Sequence, residues 1–196
     1  MKTIKDLENE IESRYLILVK ARDFFEYSKY LNSPETEELK NIANRHTFIR
    51  KSRYAFWVVS VLEIMKLFGS KNDEFRFEKL INKLIHNHSK SEWRTYISRD
   101  QIKSFESELK SDKITTVISN LKELRDKYYA HSDRNAEEEI DRFVPTFVEF
   151  ELLLEFSERI INTLSQNMSV IQTHFHSARK TNVLKALNKL TQISNV

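Results

Sequence analysis

The stretch DKITTVISNLKELRDKYYAH, residues 112–131, decides the fold. At about 100° per residue, Ile114, Val117, Ile118, Leu121, Leu124 and Tyr128 fall on one side of a helix. Lys122, Glu123, Asp126 and Lys127 fall on or toward the other side. This is the pattern of an amphipathic helix with one face in a core. Asp112 reads as its cap, and the helix is expected to end near Ala130, before the polar connection Ser132-Asp133-Arg134-Asn135.

Arg125 breaks that pattern. It lies inside the apolar stripe, between the directions of Ile118 and Leu121. A guanidinium is rarely buried unless it is paired, and it cannot shed its charge. Something must therefore meet it: a carboxylate such as Glu63, backbone carbonyls, or a pocket open to an anion. His131 follows six residues later. On an ideal helix that spacing is about 9 Å of rise and about 120° of rotation, so one straight helix does not bring the two side chains together. Either the helix breaks at Ala130-His131 or a second copy of the stretch contributes.

The rest of the chain supports an all-α bundle of about five to seven helices. Among 196 residues there are one glycine, Gly69, and two prolines, Pro34 and Pro145. A sheet protein of this length needs many more turn residues. Ile4, Leu7, Ile11, Leu18 and Phe25 recur at the helical period and predict a first helix over residues 4–31. Ser33-Pro34-Glu35 reads as the start of a second, which nothing interrupts until Gly69; such a helix would be about 50 Å long. Arg45 to Arg50 is where it would bend, and Gly69 suits a left-handed residue past its end. Further helices are expected over residues 75–86, from a cap at Asp100, from Glu137 or Pro145 to Asn167, and over residues 179–190. The segment from Asn87 to Arg99 reads as polar and irregular around Trp93. A length of 196 residues fits one domain spanning the whole chain.

Composition excludes several chemistries. With no cysteine there is no disulfide, thiol nucleophile or cysteine-bound zinc, and a reducing cytoplasm is compatible with this. A single glycine rules out a glycine-rich phosphate loop, which disfavours an ATPase or nucleotidyltransferase. Met1 to Asp6 lacks the apolar core of a signal peptide, and no apolar run approaches a membrane span. The net charge of +3 permits nucleic-acid binding without demanding it.

The run Arg125-Asp126-Lys127-Tyr128-Tyr129-Ala130-His131 resembles the HEPN signature. That signature is an arginine, then usually a polar residue, then a histidine after four to six positions in total, late on a helix. The surrounding LRDKYYAHSD and the two long preceding helices resemble the HEPN domain of U-type abortive-infection proteins. The resemblance implies a helical bundle that dimerises, with two motif copies lining one cleft. It implies a metal-independent ribonuclease in a prokaryotic defence or toxin–antitoxin system. Its substrate would be RNA, an antitoxin a possible partner, and no cofactor is expected. By the same resemblance Arg125 stabilises charge on the phosphorane, His131 acts as general base or acid, and Asp126 orients the site. Toxins of the family that are silenced by nucleotidylation usually carry tyrosine two positions after the histidine, where this chain has Asp133. The alternative is a non-catalytic HEPN-like module that binds nucleotide, RNA or a partner protein.

Other candidates are weaker. His46 and Arg53 share a face with Ile42, Ile49 and Phe56, which suits a site, a dimer register or an internal ion pair. Tyr129 could stack on a base and Arg53 meet a phosphate; with His46 and Arg134 they form the substrate-binding set. At these helical angles Tyr128 and Tyr129 more often belong to a core. Arg45, Arg50 and Lys51 are basic and would be solvated around a continuous helix. The pairs His86/His88 and His174/His176 lack an identifiable third metal ligand and read as surface histidines, so no metal is expected.

Overall fold

A computed structural model describes residues 3–33, 36–70, 72–129 and 145–167. Among these residues there are seven α-helices and no strand, which gives an all-α bundle. The helices are α1 (Ile4–Asn32), α2 (Glu37–Arg45), α3 (Thr47–Phe68), α4 (Phe77–Asn87), α5 (Arg99–Leu109), α6 (Asp112–Leu124) and α7 (Phe147–Ser165). A 3-10 turn covers His88–Lys90, and a π-helical turn covers Arg125–Tyr129. The expected helix over residues 179–190 lies outside the described residues, as do Pro34 and Glu35.

The chain divides into two compact units. The first takes residues 1–18 and 62–173, the second residues 19–61 and 174–196.

In the first unit, the core is built from the helical stripes anticipated in the sequence. Leu7 and Ile11 of α1, Leu80, Ile81 and Leu84 of α4, and Ile114, Val117, Leu121 and Leu124 of α6 are all buried. From α7 come Phe150, Leu153, Leu154, Phe156, Ile160, Ile161 and Leu164. Phe68 stacks at a tilt on Phe77 and Phe156, with ring centroids 5.6 and 6.2 Å away. Each such side chain contributes about 1.5–3 kcal/mol by leaving water. Thr146 and Glu149 open α7 with a reciprocal capping box that satisfies two otherwise unpaired backbone N–H groups. The segment after α4 is irregular, as its polar sequence suggested, but it is pinned. The buried Asn167 Oδ1 accepts from the backbone N–H groups of Arg94 and Thr95 at 2.8 and 3.0 Å.

In the second unit, Tyr30, Leu31, Leu39, Ala43 and Ile49 form a cluster joined by the half-buried Ile42 and Phe56. Phe24, Tyr27 and Phe56 pack ring against ring within 6.5 Å. The single long helix expected here is two helices. It breaks at His46, whose backbone is extended (φ −81°, ψ 112°). Asn44, His46 and Thr47 all rank low in helix propensity, and the break lets Ala43 and Ile49 enter the same cluster. The cap of α2 is Thr36, which accepts from the Leu39 N–H at 3.2 Å, and not Ser33.

Two further caps lie one or two residues from where they were expected: Ser98 caps α5 and Ser111 precedes α6. No described helix is long and apolar enough to cross a membrane.

Candidate functional site around Arg125

The apolar stripe of α6 ends in the core at Leu121 and Leu124, which fixes where the next residue emerges. The α-helical ladder slips there. The Arg125 N–H is shared between the carbonyls of Leu121 and Lys122, and residues 125–129 follow as a π turn. A π turn accommodates an extra residue per hydrogen bond, and such turns occur often at functional sites. Residues 125–129 therefore depart from ideal α-helical spacing. The helix changes form at Arg125, while the break considered at Ala130-His131 lies outside the described residues.

The π turn also lifts Arg125 partly out of the stripe, leaving its side chain 21% exposed. Its Nε donates to Asp126 Oδ1 at 2.7 Å, a charge-assisted bond to its own chain neighbour. Asp126 is nearly half exposed. The carboxylate that meets Arg125 is thus Asp126 and not Glu63. Glu63 Oε1 instead accepts from Lys66 at 2.6 Å, and its Oε2 is buried without a hydrogen-bond partner. Among the described residues, no hydrogen bond occupies the Nη1 or Nη2 groups of Arg125. A guanidinium has five N–H donors in a planar fork, so four remain for an anion such as phosphate.

Tyr128 and Tyr129 are half-buried at the end of the π turn. His131 and Arg134 lie outside the described residues. His46 and Arg53 belong to the second unit. His46 is exposed between α2 and α3, and Arg53 Nη1 donates weakly to Asn44 Oδ1 at 3.4 Å. Arg45, Arg50 and Lys51 are exposed. His86 Nδ1 contacts the Asn82 carbonyl at 2.8 Å. His88 Nε2 contacts that of Ile97 at 2.7 Å while its ring packs on Trp93. The two histidines are thus engaged locally, and no group of three or more metal-ligating side chains occurs among the described residues. His174 and His176 lie outside them.

One residue of the first unit escaped the sequence reading and a second was misread. Arg14 is fully buried. Its Nη1 donates to Glu10 Oε2 at 2.5 Å and to the Glu10 carbonyl at 2.8 Å. Its Nη2 reaches the carbonyls of Glu74 and Arg76 at 3.4 Å. It forms one wall of an open polar cleft of about 500 Å³ that also includes Glu10, Glu74 and Lys83. The available signal was the seven-residue spacing in the α1 stripe from Ile11 to Leu18, within which Arg14 lies. The second residue is Gly69. Its backbone is not left-handed, contrary to expectation. It is crowded instead, with Arg125 among its neighbours.

The AbiU2 HEPN family model matches residues 3–187. The chain belongs to that family. No curated protein and no solved structure matches it. The AbiU2 match spans the Arg125–His131 motif and nearly all of the chain, and membership fits an RNase-like module of a defence system.

Proposed function

We propose that this AbiU2-family chain is an endoribonuclease that cuts RNA by attack of a ribose 2′-hydroxyl on the adjacent phosphate. The observation that carries the reading is the Arg125 guanidinium, half-buried at a π turn with its Nη edge uncommitted. In the reaction, a base takes the 2′-hydroxyl proton as the O2′–P bond forms. The P–O5′ bond breaks, and an acid returns a proton to O5′. The products are a 2′,3′-cyclic phosphate and a 5′-hydroxyl. His131 serves as base or acid, since imidazole titrates near neutrality. Arg125 neutralises charge on the phosphorane oxygens. Asp126 holds the fork by its Nε. These side chains carry both proton transfers and the charge, so the step calls for no metal ion.

The test is incubation of purified protein with single-stranded and structured RNA in excess EDTA, with His131→Ala as control. Cleavage is expected to persist in EDTA and to leave cyclic-phosphate ends. Activity lost with EDTA, or equal in the His131→Ala protein, would sink the mechanism.

The working form is a two-fold dimer. One histidine cannot readily give and take protons on opposite sides of a phosphate in a single in-line step. Two copies across a two-fold axis supply one of each. Light scattering is expected to report about twice the 23.5 kDa chain mass. Mixed dimers of His131→Ala and Arg125→Ala chains should recover part of the activity. A monomer that cleaves at full rate contradicts the shared site.

A further inference from the structure

We propose that Gly69 and Asp73, on the connection between α3 and α4, are positioning residues for the Arg125 guanidinium. The step rests on reading Arg125 as the phosphate-binding group. Gly69 is the one glycine in the chain, and a positive φ is not what requires it. Space requires it. A Cβ at Gly69 would fall on the Asp73 carboxylate, 2.5 Å from the Met65 carbonyl oxygen and 3.1 Å from Arg125 Nη1. The backbone oxygen cannot yield, and the guanidinium would have to move by a few tenths of an ångström.

Asp73 is held firmly at that spot. Its Oδ2 accepts from the Ser70 N–H at 2.5 Å and from the Ser70 hydroxyl at 3.3 Å. Its own N–H donates to the Ser70 carbonyl at 3.0 Å. Asp73 Oδ2 and Arg125 Nη1 thus both approach the Gly69 Cα, without an ion pair between them. Asp126 rides on the same π turn and takes Nε. Asp73 is fixed to the α3–α4 connection, and its charge attracts the Nη edge from across the bare Cα of Gly69. Asp126 alone leaves the fork free to pivot with the turn. Asp73 gives it a reference on the helical scaffold, and Gly69 leaves room for the approach.

The experiment compares wild type with Gly69→Ala, Asp73→Asn, Arg125→Ala and the pairwise doubles. The first readout needs no activity: the Arg125 Nε–H signal in an arginine-labelled NMR spectrum, identified by its loss in Arg125→Ala. Asp73→Asn keeps an oxygen that accepts from Ser70 and removes only the charge, so it serves even if Gly69→Ala fails to fold. The signal is expected to shift in both variants. The drop in the folding constant caused by Gly69→Ala should be about fivefold smaller in the Arg125→Ala background, where one clash is absent. On RNA, Gly69→Ala and Asp73→Asn should each lower kcat by about tenfold with KM changed little, because sub-ångström misplacement acts on the reacting geometry. If wild type does not cleave RNA, the functional reading fails while the NMR signal and the stability cycle still decide the positioning. An Arg125 signal that stays put in Asp73→Asn overturns the proposal. So does a shifted signal with kcat unchanged in an active enzyme.

Discussion

Arg125→Ala is expected to lower RNA cleavage by about 10²–10³-fold, the usual loss on removing one donor aimed at transition-state charge. The same change should cost little stability, near 1 kcal/mol, because the pair it breaks is partly solvated. Two readings of a guanidinium in an apolar stripe compete here, and the structure separates their consequences. A buried structural pair, when broken, leaves a charge stranded and costs about 3–5 kcal/mol. The partner of Arg125 is Asp126, whose side chain is 45% exposed and which water can take over. The Nη edge has no hydrogen-bond partner to lose among the described residues. Arg125→Lys should recover only part of the rate, since an ammonium cannot offer two parallel donors. Because the interaction belongs to the transition state, kcat and kcat/KM should fall together. A melting temperature lowered by ten degrees or more, with the remaining folded protein still cleaving at the wild-type rate, would return Arg125 to a scaffold role.

The sequence made the helices legible where apolar residues recur without interruption. The stripe Ile114, Val117, Leu121, Leu124 places α6, and all four side chains are buried. The run from Phe150 to Leu164 places α7 in the same way. What the pattern missed were features with no compositional mark. The break at His46 falls within the Arg45–Arg50 stretch where a bend was expected, but with neither glycine nor proline there the sequence did not show that the helix ends. The cap of α2 was expected at Ser33, before Pro34, but is Thr36, three residues later. The π turn at Arg125 has no sequence signature of its own. It shows only as an arginine in a stripe where an arginine does not belong. Gly69 was read by its commonest use, a positive φ at a helix end. Its real constraint, a carboxylate, a carbonyl and a guanidinium crowding one α-carbon, is tertiary and involves residues up to 56 positions away (125 minus 69).

Arg14 carries the largest expected effect on stability, and the effect should be lopsided. Glu10→Ala is expected to cost about 3–5 kcal/mol, because it leaves a fully buried guanidinium without its carboxylate. At roughly 2–4 °C per kcal/mol for a chain of this size, the melting temperature should fall by about 6–20 °C. Arg14→Met should cost much less, since an unbranched apolar side chain fills the space and Glu10, a quarter exposed, keeps Lys83 at 2.5 Å. The titration directions agree. Burial pulls the Arg14 guanidinium below its ordinary value, with Glu10 and Glu74 opposing. For Glu10, burial pushes the carboxyl up, but Lys83 and Arg14 outweigh it and hold it below the usual 4.5. A carboxylate with a depressed folded value contributes stability that is present above the unfolded value. That stability is lost as pH falls through the folded value. Wild type should therefore weaken as pH drops below about 4.5, the ordinary carboxyl value, and Glu10→Gln should show a flatter acid limb there. Urea unfolding at a series of pH values between neutrality and about pH 3 measures both limbs, since stability follows the proton uptake between states. Arg14→Met as damaging as Glu10→Ala, or parallel acid limbs for wild type and Glu10→Gln, would show that the pair fixes α1 by packing and not by charge.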